Sequence, residues 1–270
     1  MIYDTHCHPN LANKKLTNYI IENFKKENPK GFLNAIGTNL EDSEDVIKIS
    51  RSNPNIFCSI GIHPTDSIKY SGKLNESLEI LEKLYIKNKD KVVAIGECGL
   101  DYYWMQSLID KYKLSEKEIK KIQKDFFIAQ IKLAKKYNLP IIIHNRNTKD
   151  DILKTLIENN YKNFIFHCYT EDFEYAMELI SFSPECKISF SGIVTFNNAE
   201  KVQETAKKIS LKNILIETDS PFLTPTPYRG KEENEPIYVK YVLEKIIKLR
   251  KEPSNEIRKQ IFKNSLDTFF

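Results

Sequence analysis

Two histidines separated by one residue, His6 and His8 in Ile2-Tyr3-Asp4-Thr5-His6-Cys7-His8, place a pair of imidazoles near the start of the chain. Side chains alternate faces along a strand, so residues two apart point the same way and can grip one ion together. The other histidines are His63 in Gly-Ile-His-Pro, His144 in Pro-Ile-Ile-Ile-His and His167 in Phe-Ile-Phe-His. His144 and His167 each close an apolar run, as do Glu97 after Val92-Val93-Ala94-Ile95-Gly96 and Asp219 after Ile214-Leu215-Ile216. Imidazoles and carboxylates collected at the ends of separate strands form a ligand set for a divalent metal. A lone histidine in an apolar run is more often a hydrogen-bonded core residue, and His-x-His alone is a moderate signal. Four strand-end histidines with two strand-end acids make a costly coincidence, because a buried carboxylate needs a partner to offset its lost hydration. The set points to a metal-dependent hydrolase.

The elements that must position these residues follow from hydrophobic patterning. Eight short runs rich in Val, Ile, Phe and Ala, at roughly 2–7, 32–38, 56–62, 92–97, 139–144, 163–168, 186–192 and 213–218, read as strands. Lysine- and glutamate-rich segments of helical period separate them. In 115–137, for example, Ile119, Ile122, Phe126, Ile131, Leu133 and Ala134 build an apolar stripe. Eight strand–helix repeats with no Gly/Ser linker predict an α/β fold, a single-domain (β/α)8 TIM barrel over residues 1–270. A doubly wound open sheet fits less well, since no Gly-x-Gly-x-x-Gly or phosphate-loop signature follows the first strand. Parallel barrel strands end on one face, which hosts the active site. That geometry predicts convergence of His6 and His8 from strand 1, Glu97 from strand 4, His144 from strand 5, His167 from strand 6 and Asp219 from strand 8. Residues 236–269 read as one or two closing helices.

Bulk composition bounds the rest. A net charge of +4 permits polyanion binding without arguing for a dedicated nucleic-acid binder. The cysteines Cys7, Cys58, Cys98, Cys168 and Cys186 are odd in number and include no C-x-x-C pair, which favours free thiols in a reducing compartment over disulfides or a zinc knuckle. His6 and His8 stand where a signal peptide would be cut away, and the apolar runs are too short to span a bilayer. The expectation is a cytoplasmic monomer with no membrane association.

Several blocks in order resemble one known family. Thr5-His6-Cys7-His8, Gly61-Ile62-His63-Pro64, Gly96-Glu97-Cys98-Gly99-Leu100-Asp101-Tyr102, Pro140 through Arg146, and Glu217-Thr218-Asp219-Ser220-Pro221 are similar to the signature blocks of the TatD family of metal-dependent deoxyribonucleases, within the amidohydrolase-like barrel superfamily. The resemblance runs from residue 3 to the end and includes Pro227-Tyr228-Arg229-Gly230-Lys231. It implies a (β/α)8 barrel, a divalent-metal cofactor and hydrolysis of DNA phosphodiesters, in some members as a 3′-to-5′ exonuclease on single-stranded or frayed DNA. Carried over by position, His6, His8 and Asp219 hold one metal, His144 and His167 hold a second, and Glu97 bridges the two. Such a pair can polarise a phosphoryl oxygen and lower the pKa of water, with Asp219 as proton acceptor. Mixed nitrogen and oxygen donors suit Zn²⁺, Mn²⁺ or Fe²⁺, and Mg²⁺ less obviously. Hydrolysis of a small cyclic amide, lactone or aminoacyl ester is the rival reading, because barrels of this type host many reactions.

On the rim, His63 suits a substrate-phosphate role or a place behind the metal ligands, with loop ordering as the plain alternative. Arg146 suits a phosphate fork, against an ion pair with Asp150 or Asp151. Tyr102, with Tyr103 and Trp104, could stack on unpaired bases or merely anchor packing. Arg229 and Lys231 lie on the loop after strand 8, where barrels commonly hold phosphate. Two departures from the family pattern stand out. Glu232-Glu233-Asn234-Glu235-Pro236 is longer and more acidic than expected, which weighs against a phosphate contact there. Residues 105–118 look like an insertion that either roofs the site or extends a helix.

Overall fold

A computed structural model describes residues 1–11 and 14–270. Among the described residues, eight strands follow one another through the sheet in chain order. They are β1 (Tyr3–Cys7), β2 (Phe32–Ile36), β3 (Ile56–Ile60), β4 (Val92–Asp101), β5 (Ile141–Arg146), β6 (Phe164–Phe166), β7 (Lys187–Phe190) and β8 (Ile214–Ile216). The pairs β1–β2, β3–β4, β4–β5 and β7–β8 are parallel, and helices alternate with strands, giving the (β/α)8 barrel fold. By packing, the chain divides into two compact units, one comprising residues 1–35, 49–57 and 166–270, the other 36–48 and 58–165.

In the first unit, the C-terminal helix Ser254–Phe269 closes against the opening strands. Tyr3 meets Phe32 and Phe269 at ring separations of 5.6 and 5.5 Å, and Asn264 Nδ2 donates to the carbonyls of Leu211 and Ile214 at 2.8 Å each. The predicted closing segment resolves into Val239–Leu249 and this helix.

In the second unit, β4 and β5 run longer than their apolar cores suggest. Pairing continues through Gly99↔His144, Leu100↔Asn145 and Asp101↔Arg146, so polar strand ends are carried out in register. The close approach requires glycine: a Cβ at Gly99 (φ 141°) would stand 2.1 Å from the His144 carbonyl oxygen. The helix Glu116–Tyr137 starts at a capping box in which Ser115 and Glu118 satisfy each other's backbone N–H. Residues 105–112 form a short helix whose Leu108 packs on Ile68 and Ile119, so this insertion builds a small core of its own.

Two buried glutamines interrupt the apolar face expected of Glu116–Tyr137. Gln123 accepts from Asp101 N at 2.9 Å and donates to Asp101 O at 3.0 Å; Gln130 does the same for Ile62 at 2.8 and 3.0 Å. Seven residues apart, they share a helix face and hold two strand ends by the backbone. Gln123→Ala would leave both Asp101 backbone groups unsatisfied, an expected loss of about 2–5 kcal/mol. A urea-denaturation loss below about 1 kcal/mol would contradict this bracket.

Candidate metal centre

In the first unit, β1 carries His6 and ends just before His8, and both imidazoles are buried. Their Nε2 atoms lie 3.1 Å apart, and Asp219 Oδ1 is 3.6 Å from His6 Nε2 and 3.3 Å from His8 Nε2. Ligand atoms at ordinary zinc–nitrogen and zinc–oxygen distances, arranged tetrahedrally, are separated by about 3.3 Å. The three donors are therefore spaced like neighbouring corners of a tetrahedral metal shell. His167 joins them: its ring stacks on His6 at 4.0 Å and 8°, and His6, His167 and Asp219 form a group able to hold a cation.

Backbone geometry fixes Asp219. It takes a left-handed φ of 56°, and its N–H donates to the His6 carbonyl at 2.9 Å, while His8 N donates to Ser220 O at 2.8 Å. Burial works to raise the Asp219 carboxyl, but the His8 hydrogen bond and the charges of His6, His167 and His8 hold it below the ordinary range. Asp4 accepts from Thr218 N and Oγ1 at 2.9 and 2.6 Å, stapling the start of β1 to the segment after β8; burial pushes its carboxyl up to about 8.

In the second unit, Glu97 of β4 and His144 of β5 meet at 2.8 Å from Oε1 to Nδ1. The opposite ring nitrogen, His144 Nε2, lies 3.1 Å from Asp101 Oδ2. A carboxylate holding one imidazole nitrogen fixes the tautomer and turns the other toward a metal. Burial works to raise Asp101, and the hydrogen bond and charge of His144, with the His63 charge and the Trp104 N–H, bring it below its usual value. His63 caps the helix Pro64–Ser67: Nδ1 accepts from Thr65 N at 3.3 Å, which leaves the ring proton on Nε2, 3.7 Å from Glu97 Oε1. His63, Glu97 and His144 form a second group of cation-binding composition.

A model of the family described as TatD related DNase matches residues 3–270. The chain belongs to that family. Among curated relatives, an uncharacterized metal-dependent hydrolase of Bacillus subtilis (strain 168), YabD, is 39% identical over 260 residues, covering 95% of this chain and 94% of the relative. YcfH of Escherichia coli (strain K12), also an uncharacterized metal-dependent hydrolase, is 33% identical over 248 residues, 90% of this chain and 86% of its own. Among solved structures, the TatD homolog YjjV from Escherichia coli K12 superposes with a TM-score of 0.83 at 25% identity, covering 99% of this chain and 97% of that one. A hydrolase TatD family protein from Entamoeba histolytica adds the fold alone, with a TM-score of 0.82 at 21% identity over 100% of this chain and 98% of that one.

This TatD-family hydrolase carries two orienting carboxylates that motif reading left without a role. Asp101 holds His144. Glu217 does the same for His167, with Oε1 3.3 Å from Nδ1, and is itself saturated by Cys168 N at 2.7 Å and Ser189 Oγ at 2.6 Å. Both stand inside the quoted blocks, so the available signal was an acid two residues from a ligand or four after one. The rim residues separate. Tyr102 donates its hydroxyl to Asp151 at 2.8 Å and lies under Lys120, which ties it to neighbouring helices. Arg146 sits 3.8 Å from the Tyr103 ring centroid. Arg229 is exposed and packs 3.6 Å from the Phe196 ring centroid, while the acidic Glu232 accepts from the Tyr238 hydroxyl.

Burial, with the His144 charge, pushes His63 down to about 4 against the opposing pull of Glu97, Asp101 and Asp66. From its usual value of 6.5 down to about 4, the unfolded chain binds a proton that the folded chain refuses. The contribution of this group to the stability of the metal-free protein should therefore fall by about 3 kcal/mol as pH drops through that window, while Asp4, with its carboxyl raised to about 8, changes in the opposite sense. Urea denaturation at stepped pH should show wild type losing that amount of stability relative to His63→Gln as the pH falls; a difference that stays constant would remove His63 as its source.

Proposed function

We propose that the protein hydrolyses DNA phosphodiester bonds at a two-metal centre, acting from the 3′ end on single-stranded or frayed strands. His6, His8 and Asp219 would hold one divalent ion, His144 and His167 would hold the second, and Glu97 would serve both. The observation that carries this reading is the set of donor separations among His6, His8 and Asp219, 3.1–3.6 Å, which match the edges of a metal shell. The assignment of the six donors to two ions is the one the family resemblance implies, and in the second unit Glu97 and His144 meet at 2.8 Å. Family membership supports DNA as substrate.

When bound, such ions supply Lewis-acid polarisation of a phosphoryl oxygen and make water acidic near neutral pH. The chain's own residues do the remainder. Asp219, kept ionised by its imidazole neighbours, accepts the proton of the attacking water. Glu217 and Asp101 hold the His167 and His144 rings in fixed tautomers, so no ring must turn during the reaction. The exposed guanidinium groups of Arg146 and Arg229 are suited to phosphates flanking the scissile one. No helix among the described residues is long and apolar enough to cross a membrane.

Incubating the protein with 5′-labelled single-stranded DNA and Mn²⁺ should release a descending ladder of products, and EDTA should abolish it. An EDTA-resistant ladder would remove the metal. Intact DNA alongside rapid hydrolysis of a lactone or ester would replace the substrate class.

A further inference from the structure

Beyond the metal ligands, one surface joins exposed aromatic rings to a cation. Tyr103 and Trp104 are 55% and 48% exposed, and their rings meet edge to face at 5.0 Å. The Arg146 guanidinium lies 3.8 Å from the Tyr103 centroid and 5.6 Å from that of Trp104. Two adjoining exposed rings offer a flat apolar platform, and a guanidinium beside them favours a ligand that is both flat and anionic.

The cluster is also tethered. The backbone N–H groups of Tyr103 and Trp104 donate to Asp101 Oδ1 at 2.9 and 3.3 Å, while Asp101 Oδ2 takes His144. Tyr102 N donates to Arg146 O at 3.0 Å, continuing the β4–β5 ladder beneath the rings. One carboxylate thus fixes both the aromatic pair and an imidazole next to Glu97, so anything held on the rings keeps register with that imidazole. Arg146 follows His144 by two residues on one strand face, a step of about 7 Å.

We infer that Tyr103, Trp104 and Arg146 form a stacking subsite for one unpaired nucleobase of the substrate strand. The choice of ligand rests on the nuclease reading. Stacking on aromatic and guanidinium planes is how proteins hold unpaired bases without reading sequence, and such a subsite would favour single or frayed strands, because a base inside a duplex has both faces covered by its stacked neighbours.

Trp104 is the only tryptophan in the chain, so the subsite carries its own reporter. Titrating the metal-free full chain with a short single-stranded oligodeoxynucleotide should quench Trp104 emission. An abasic strand of equal length should leave emission unchanged and bind about tenfold more weakly by anisotropy. Tyr103→Ala should weaken the base-bearing strand by a similar factor and the abasic strand hardly at all, a base dependence that mere misfolding would not produce. The titration is repeated with Mn²⁺ and a phosphorothioate strand. Equal affinity for the two strands in wild-type protein, or bound DNA with unchanged emission, would overturn the subsite. Cleavage of DNA without quenching would overturn it and leave the nuclease reading standing; quenching without cleavage would keep the subsite and count against the nuclease.

Discussion

Asp219→Asn is expected to lower the rate of phosphodiester hydrolysis about a thousandfold while the protein stays folded. Asparagine suits the test because its backbone tolerates the left-handed φ of 56°, and the hydrogen bond from residue 219 N to His6 O is untouched. What disappears is the negative charge that His8 and the neighbouring imidazoles hold in place, and with it both a proposed metal donor and the proposed acceptor for the proton of water, so bound metal is measured alongside the rate. The loss should fall on kcat, since nothing assigned to strand binding changes. Steady-state rates with far-UV circular dichroism as a fold control would check this; a rate within tenfold of wild type would exclude Asp219 as base.

Glu97→Gln should be as damaging by a different route. Glu97 is 4% exposed, with His144 Nδ1 2.8 Å and His63 Nε2 3.7 Å from its Oε1. Glutamine fills the same space but is neutral and is a poor bridge between two cations. Bound metal per chain should fall from two to one, and hydrolysis should fall by about three orders of magnitude. Metal content after dialysis, measured with the rate, checks both halves. Two ions retained at full activity would show that the bridge is not this residue.

These residues were legible because the constraint on them is local. A strand ending in His or Glu after an apolar run announces itself, and the His-x-His spacing maps directly onto a shared strand face. The eight strands were readable for the same reason, as were the helix over 115–137 and the closing helices, whereas the Ser115 cap emerged only from the structure. Harder to see was whatever depends on pairing between distant segments. β4 and β5 extend to Asp101 and Arg146 only because each continues the other's ladder, and no periodicity within either run reports that. Gln123 and Gln130 look like solvent-facing residues until their strand-end partners are known. Asp101 and Glu217 sat inside motifs yet showed their role only with the rings that they hold. On the rim, Tyr102 was indistinguishable by type from Tyr103, and the Asp151 contact that ties it to the helices lies 49 residues away.

The central claim is best tested by anomalous diffraction from crystals soaked in Mn²⁺. Two strong peaks are predicted, one against His6, His8 and Asp219, the other against His144 and His167, with Glu97 touching both. A single peak away from these side chains, or density elsewhere with the six donors untouched, would contradict the account.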